Sequence, residues 1–168
     1  MGGNTIPPSY QPMFPLTDFP SLSGIHYLNT AAESIPPTCV NEAVAEYMAH
    51  KGLGMRGRDF HFPRVEACRE ITAKHLGLAM EEVGFCSCSS EAYNLLASAL
   101  QLKSADQVVV TDLDFPAGAT PWLTAAEKPV TKLWKHRGGA LSLDDLAPLL
   151  NERTALVQVS LVSFYNGH

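Results

Sequence analysis

The 168-residue sequence contains few charged residues and no cluster of basic ones. Asp, Glu, Lys and Arg make up 17% of the chain, and its formal net charge is −5. Nucleic acids and anionic membranes both bind concentrated positive charge, so the composition argues against either as a partner. A small anionic ligand stays open, because the backbone N–H groups at the start of a helix can bind one.

Long apolar runs and a secretory signal are also missing. No segment is apolar over the roughly 20 residues that a membrane-spanning helix requires, and residues 1–20 lack a basic segment followed by an apolar one. The four cysteines lack the paired spacing of a zinc site, so no metal site is predicted. These features predict a cytosolic protein with reduced thiols.

The sequence does have the apolar content of a folded protein, at 46%. A chain of this size can bury about 68–70% of its unfolded surface, so a real core is possible. Residues 1–24 are rich in Pro, Ser and Gly and show no periodicity, which predicts an irregular N-terminal arm. The folded body is expected at residues 25–168.

Short apolar runs alternate with segments of helical periodicity from residue 25 onward. Strands are predicted at residues 25–28, 83–86, 107–111, 130–135 and 154–162. Helices are predicted at residues 37–50, 63–76, 90–102 and 142–150. One more helix should begin near Pro116 with Asp114 as its cap, and Ser142 with Asp145 resembles a capping box.

The β-α-β-α-β-α-β order of the second half predicts an α/β fold. Its sheet should be mostly parallel and covered by helices on both faces. Ligands of such sheets bind at the carboxyl ends of the strands. Three loops therefore deserve inspection: residues 86–90, 112–115 and 163–168.

The first of these loops joins a predicted strand to a helix through small Ser and Cys residues. Small side chains let an anion approach the backbone N–H groups at the helix start, and Ser89 and Ser90 add hydroxyl donors. Plain N-capping by either serine needs no ligand and is the more ordinary interpretation of the local sequence.

Two other positions could bind a ligand. Phe115 follows a predicted strand and could stack on a planar ring, although packing of the following helix is the more ordinary interpretation of the local sequence. In the glycine-rich segment at residues 54–59, Arg56 or Arg58 could bind a carboxylate. A solvated loop is the alternative there.

Four segments, in this order, resemble the class V aminotransferase family, which includes cysteine desulfurases and isopenicillin-N-epimerase-like proteins. Residues 27–32, YLNTAA, resemble the opening segment of the family, and residues 87–94, SCSSEAYN, resemble its phosphate-binding turn. Residues 112–116, DLDFP, resemble the segment that stacks on the cofactor ring. Residues 159–167 resemble the strand and loop beside the ring hydroxyl.

The resemblance implies the three-layer, mostly parallel large domain of fold type I transferases and the cofactor pyridoxal 5′-phosphate (PLP). It implies that Ser89 and Ser90 bind the phosphate and that Phe115 stacks on the ring. Many family members have Asn in the last loop, where this chain has Ser163-Phe164-Tyr165-Asn166. Ser163 or Asn166 would therefore contact the ring hydroxyl instead.

The substrate implied is an amino acid, and the reaction could be transamination, epimerisation or C–S cleavage in a homodimeric full-length enzyme. Asn29 and Ala31 would lie near the substrate carboxylate, and Arg56 is a further candidate. The Asp that faces the pyridine nitrogen and the Schiff-base Lys are expected beyond His168. The chain, ending after its most strand-like run, is therefore expected to be an inactive N-terminal fragment of the PLP-binding domain. The alternative is a non-catalytic α/β module that binds a phosphorylated ligand or a protein partner.

Overall fold

A computed structural model describes residues 14–125 and 127–168 of the chain. It comprises two compact units, one ending at Gly84 and the other spanning Phe85–His168. The helices are α1 (Thr38–Lys51), α2 (Arg58–Leu76), α3 (Ser89–Leu100), α4 (Pro116–Thr124) and α5 (Leu143–Leu146). The strands are β1 (Gln107–Thr111), β2 (Val130–Trp134) and β3 (Thr154–Val157).

The first unit is built on helices α1 and α2. The prediction of α1 is confirmed to within one residue at each end, whereas α2 begins five residues before the predicted start at Pro63. Pro63 therefore lies inside α2, where it has no N–H to donate to the carbonyl oxygen of Asp59. Gly77 ends α2 at φ +69°, in the left-handed conformation that glycine adopts without strain.

Two predicted strands of the sequence are wrong. Residues 25–28 form no strand, and neither do residues 83–86. The carbonyl oxygen of Val83 instead accepts a hydrogen bond from the guanidinium of Arg69, at 3.2 Å. In the predicted arm, residues 14–24 contain two short 3-10 helices, Leu16–Asp18 and Pro20–Leu22, and residues 1–13 lie outside the described residues.

The second unit contains a parallel three-stranded sheet in the order β2-β1-β3. The boundaries of β1 are those predicted, and every residue of that strand is buried. Such full burial is what a continuous β-branched run indicates, because only a central strand is covered on both faces. The α/β fold class with a parallel sheet is confirmed.

Helices cover both faces of β1. On one face, Val108 and Val110 pack with Trp122 of α4, which is 2% exposed. On the other face, the amide of Gln107 donates to the carbonyl oxygen of Leu149, in the 3-10 turn that follows α5. The sheet is therefore the middle of three layers. None of the described helices has the length and apolar character to cross a membrane.

Two boundaries near the carboxyl edge of the sheet differ from those predicted. Strand β3 ends at Val157 instead of residue 162, and the residue that caps α4 is Phe115 instead of Asp114. The carboxylate of Asp114 accepts from the backbone N–H of Ser160 at 2.8 Å, which engages this carboxylate away from the start of α4 and this N–H away from a neighbouring strand. Ser142 does cap α5, accepting from the N–H of Asp144.

Candidate functional site

The loops that follow β1 and β3 meet at the carboxyl edge of the sheet. The hydroxyl of Ser163, which is 6% exposed, donates to the carbonyl oxygen of Leu113 at 2.8 Å. The ring of Phe115 meets that of Phe164 edge-on, with 5.2 Å between the centroids. A cavity of about 260 Å³ opens at the same edge, and its lining includes Asp114 and Ser163. Two of the three loops singled out by the sequence therefore lie together.

The turn at the start of α3 binds the carboxylate of Glu91, a negatively charged group of the chain itself. Both the backbone N–H and the hydroxyl of Ser87 donate to one carboxylate oxygen of Glu91, at 2.6 and 2.7 Å. These two bonds lower the pKa of Glu91 below its usual value. Two donors of this turn therefore converge on a carboxylate of the chain itself.

Cys88 is the N-cap residue of α3, and its thiol lies among further donors. The backbone N–H of Glu91, then the hydroxyl of Ser87 and the backbone N–H of Ser90, lower the pKa of Cys88 below its ordinary value. Hydrogen bonds to the ionised form of a group favour that form, which explains the direction. A second group that can carry negative charge is thus stabilised at the same turn.

Ser89 and Ser90 are both exposed at the start of α3. Their hydroxyls donate to no acceptor within the part of the chain that the structure describes, although the carbonyl oxygen of Ser90 accepts from Asn94. The two hydroxyls are therefore available to a ligand at this turn, and their role in phosphate binding stays a prediction.

The two candidate contacts to the ring hydroxyl already have partners within the chain. Besides donating to Leu113, the Ser163 oxygen accepts from the N–H of Tyr165 at 3.1 Å. The amide of Asn166 donates to the carbonyl oxygen of Gly139 at 2.7 Å and accepts from the N–H of His168. Ser163 keeps a second lone pair and Asn166 a second amide N–H, so each could still contact a ring hydroxyl, and both roles stay predictions.

The candidate substrate residues belong to the first unit. The carbonyl oxygen of Asn29 accepts from the N–H of Ala32 in a turn that also contains Ala31. Arg56 is exposed in the 3-10 helix Gly54–Gly57. Their roles as substrate contacts likewise stay predictions. No three His, Cys, Asp or Glu side chains come together as a metal site in residues 14–125 and 127–168.

Sequence reasoning missed two residues of the α3 turn. Cys88 and Glu91 have the three-residue spacing between the N-cap and the N3 position that a capping box uses. That spacing could have indicated the helix start, but cysteine is not one of the usual capping residues. Here the Glu91 carboxylate reaches back to Ser87, one residue before the cap, instead of to the cap itself.

The lowered pKa of Cys88 gives a testable consequence. Because the thiolate is the reactive form, we expect iodoacetamide to alkylate Cys88 faster than Cys86 near pH 7. As the pH is raised, the rate for Cys88 should reach its plateau at a lower pH than the rate for an ordinary thiol does. Peptide mass spectrometry after timed quenching measures both rates in one sample. Equal alkylation rates for Cys88 and Cys86 would contradict the assignment.

Comparison with known proteins identifies relatives of this chain. The family model of class V aminotransferases matches residues 26–168. The cysteine desulfurase of Cronobacter sakazakii is 33% identical in an alignment that covers 88% of this chain and 41% of that protein. The probable cysteine desulfurase of Methanothermobacter thermautotrophicus is 28% identical in an alignment that covers 87% of this chain and 38% of that protein.

Solved structures share the fold. A C-DES mutant with glycine covalently linked to its PLP cofactor gives a TM-score of 0.81 at 16% identity, over 89% of this chain and 41% of that one. The cysteine desulfurase CsdA from Escherichia coli gives 0.71 at 21% identity, over 90% of this chain and 41% of that one. The chain thus spans well under half the length of the proteins it matches. Because the family model nevertheless covers all but the first 25 residues, the chain belongs to the class V aminotransferase family.

Proposed function

We propose that this chain provides the phosphate-binding turn and the ring-stacking residue of a PLP-dependent enzyme that acts on an amino acid. One observation carries the proposal: the donors of residues 87–91 converge on negatively charged or ionisable groups at the start of α3. The family to which the chain belongs supplies the identity of the ligand, since the solved C-DES structure contains a PLP cofactor.

The residues present fit the phosphate group of PLP. The carboxylate of Glu91 acts as a stand-in anion, because it accepts the same kind of N–H and O–H bonds that a phosphate oxygen accepts. The exposed hydroxyls of Ser89 and Ser90 add donors that the carboxylate does not use. A bound phosphate would therefore share this turn with Glu91 or displace its side chain from Ser87.

The aromatic ring of Phe115 supports the second half of the proposal. It is 57% exposed at the carboxyl edge of the sheet, directly after β1, and is buttressed edge-on by Phe164. An exposed ring held by a neighbour can stack on a planar heterocycle at little cost in side-chain entropy. PLP, when bound, supplies an electron sink for bonds at the Cα atom of the amino acid. In this proposal the chain orients that ring.

For the reaction, we propose C–S cleavage of a cysteine-like amino acid, because the compared relatives are named as cysteine desulfurases. Transamination and epimerisation are the alternatives within the family. Cys86 and Cys88 lie at the phosphate turn, so we do not assign them the sulfur-accepting role of such an enzyme. The full-length protein would be a cytosolic homodimer in which a lysine and an aspartate outside this chain complete the site.

Replacing Ser90→Ala is expected to weaken the binding of pyridoxine 5′-phosphate by about tenfold, the usual effect of losing one hydrogen bond to a charged group. This analogue of PLP has no aldehyde and so cannot react with surface lysines. The measurement is isothermal titration calorimetry at about 10 °C, near the usual temperature of maximum stability.

The matched control is Ser98→Ala, which removes an exposed hydroxyl from the same helix at a position away from its start. This variant should bind the analogue as the parent chain does. Pyridoxine without phosphate should bind more weakly to every variant. Equal affinities of the Ser90→Ala and Ser98→Ala variants would argue against a phosphate site here. Competition by inorganic phosphate alone, with no contribution from the ring, would favour the non-catalytic phosphate-binding alternative.

A further inference from the structure

The side-chain amide of Gln158 occupies a buried position between the end of β3 and helix α4. Gln158 is 9% exposed. Its nitrogen donates to one carboxylate oxygen of Asp114 at 3.0 Å, and its oxygen accepts from the indole N–H of Trp122 at 3.3 Å. A carboxylate accepts and an indole N–H donates, so these two partners fix which way the amide points.

Space for this amide depends on a glycine in α4. A Cβ atom at Gly118 would lie 1.9 Å from the side-chain nitrogen of Gln158, which is closer than any real contact. Glycine costs a helix about 1 kcal/mol relative to alanine. The fold therefore accepts a poor helix former at position 118, which leaves room for the amide of Gln158. An apolar side chain in place of Gln158 would pack there without needing hydrogen-bonding partners.

Both ends of the network reach the segment that carries Phe115. Asp114 directly precedes Phe115, and its second carboxylate oxygen accepts from the N–H of Ser160. Trp122 lies in the helix that Phe115 caps. The Gln158 amide thus ties the residue before Phe115 and the helix after it to the same point beyond β3. With both sides fixed, the direction in which the Phe115 ring leaves the backbone is fixed as well.

We infer that Gln158, acting through Asp114, is a positioning residue that aims the ring of Phe115 at its ligand. The inference rests on the proposed function, in which that ring stacks on the cofactor. Gln158 itself touches neither Phe164 nor the α3 turn through any hydrogen bond of the described residues. Its effect on binding therefore passes through the orientation of Phe115.

The two side chains allow a test in which their polarity is exchanged. Gln158→Glu alone places two carboxylates against each other. Asp114→Asn alone brings the N–H₂ groups of two amides together. If the Gln158 amide turned so that its oxygen accepted from the new amide, its own N–H₂ group would face the indole N–H of Trp122, which is also a donor. The double variant Asp114→Asn/Gln158→Glu restores every bond: the new amide donates to the new carboxylate, which still accepts from Trp122. The double variant also has the charge of the parent chain.

The readouts are the nuclear Overhauser contact between the rings of Phe115 and Phe164 and the affinity for pyridoxine 5′-phosphate, both at about 10 °C. We expect each single variant to lose the ring contact and to bind the analogue roughly two- to tenfold more weakly, the range of one aromatic stacking interaction. The double variant should recover both. Ser90→Ala, which acts on the phosphate turn, should weaken binding and leave the ring contact intact.

Each outcome decides the inference. Single variants that keep the ring contact overturn it, and so does a double variant that recovers the melting temperature without recovering the contact, because the network is then only structural. If the single variants fail to fold, the double variant alone decides by the same contact. A parent chain that shows the expected pattern of ring contacts but binds no pyridoxine 5′-phosphate refutes the proposed function and leaves the positioning role of Gln158 standing.

Discussion

The purified 168-residue chain is expected to melt broadly, with a midpoint below the roughly 45–65 °C of ordinary mesophilic domains. Among the described residues, exposed large apolar side chains far outnumber buried ones, and the buried apolar core is concentrated around β1. Strands β2 and β3 are both edges of the sheet as the structure describes it, so their outer N–H and C=O groups pair with no strand of residues 14–125 and 127–168. Little apolar surface is therefore buried to offset the conformational entropy that the chain loses on folding.

Far-UV circular dichroism and tryptophan fluorescence, recorded on one sample through a thermal scan, measure this prediction. Trp122 and Trp134 both lie in the second unit and report on its core. The expected result is two transitions that do not coincide, together with binding of the dye ANS at low temperature. A single sharp transition by both probes in the mesophilic range, with no dye binding, would show that the chain is a stable domain as it stands.

Local sequence was sufficient to predict a strand where the residues of the segment themselves indicate full burial. Three consecutive valines predict β1 with its observed bounds, because a continuous β-branched run fits only the centre of a parallel sheet. The short apolar runs at residues 25–28 and 83–86 carry no such information. Whether a run of four residues becomes a strand depends on a partner strand to pair with, and no local pattern supplies one.

In the candidate site, too, some features could be predicted from local sequence and others could not. The turn of small residues before α3 was predictable, since donors at a helix start follow from local geometry alone. The tie between Asp114 and Gln158 was not, because it joins residues 44 positions apart. A second long-range contact, from the N–H of Ser160 to Asp114, accompanies the wrong predictions of the Asp114 cap and of the end of the third strand. The carboxylate and the backbone beyond β3 satisfy each other instead of the helix and the sheet.

The chain by itself is expected to turn over L-cysteine and other amino acids no faster than free PLP does. PLP chemistry needs a lysine at the reacting edge of the sheet. In the second unit, Lys103 and Lys128 precede β1 and β2 and so lie toward the opposite edge, and Lys132 lies within β2. Lys135, directly after β2, is the one described lysine of this unit that follows the carboxyl end of a strand.

Lys135 therefore defines the decisive experiment. Sulfide, pyruvate and keto-acid release are measured for the chain with PLP, for Lys135→Ala and for the matched control Lys132→Ala, and bound PLP is fixed with borohydride and mapped by mass spectrometry. We expect no turnover above free PLP in any of the three and fixation spread over several exposed lysines. Turnover that Lys135→Ala abolishes and Lys132→Ala retains would contradict the prediction and assign the missing lysine to this chain. Because the exposed Lys135 has no hydrogen bond or ion pair within the described residues to hold it toward the cavity, its position after β2 alone does not make it a catalytic group.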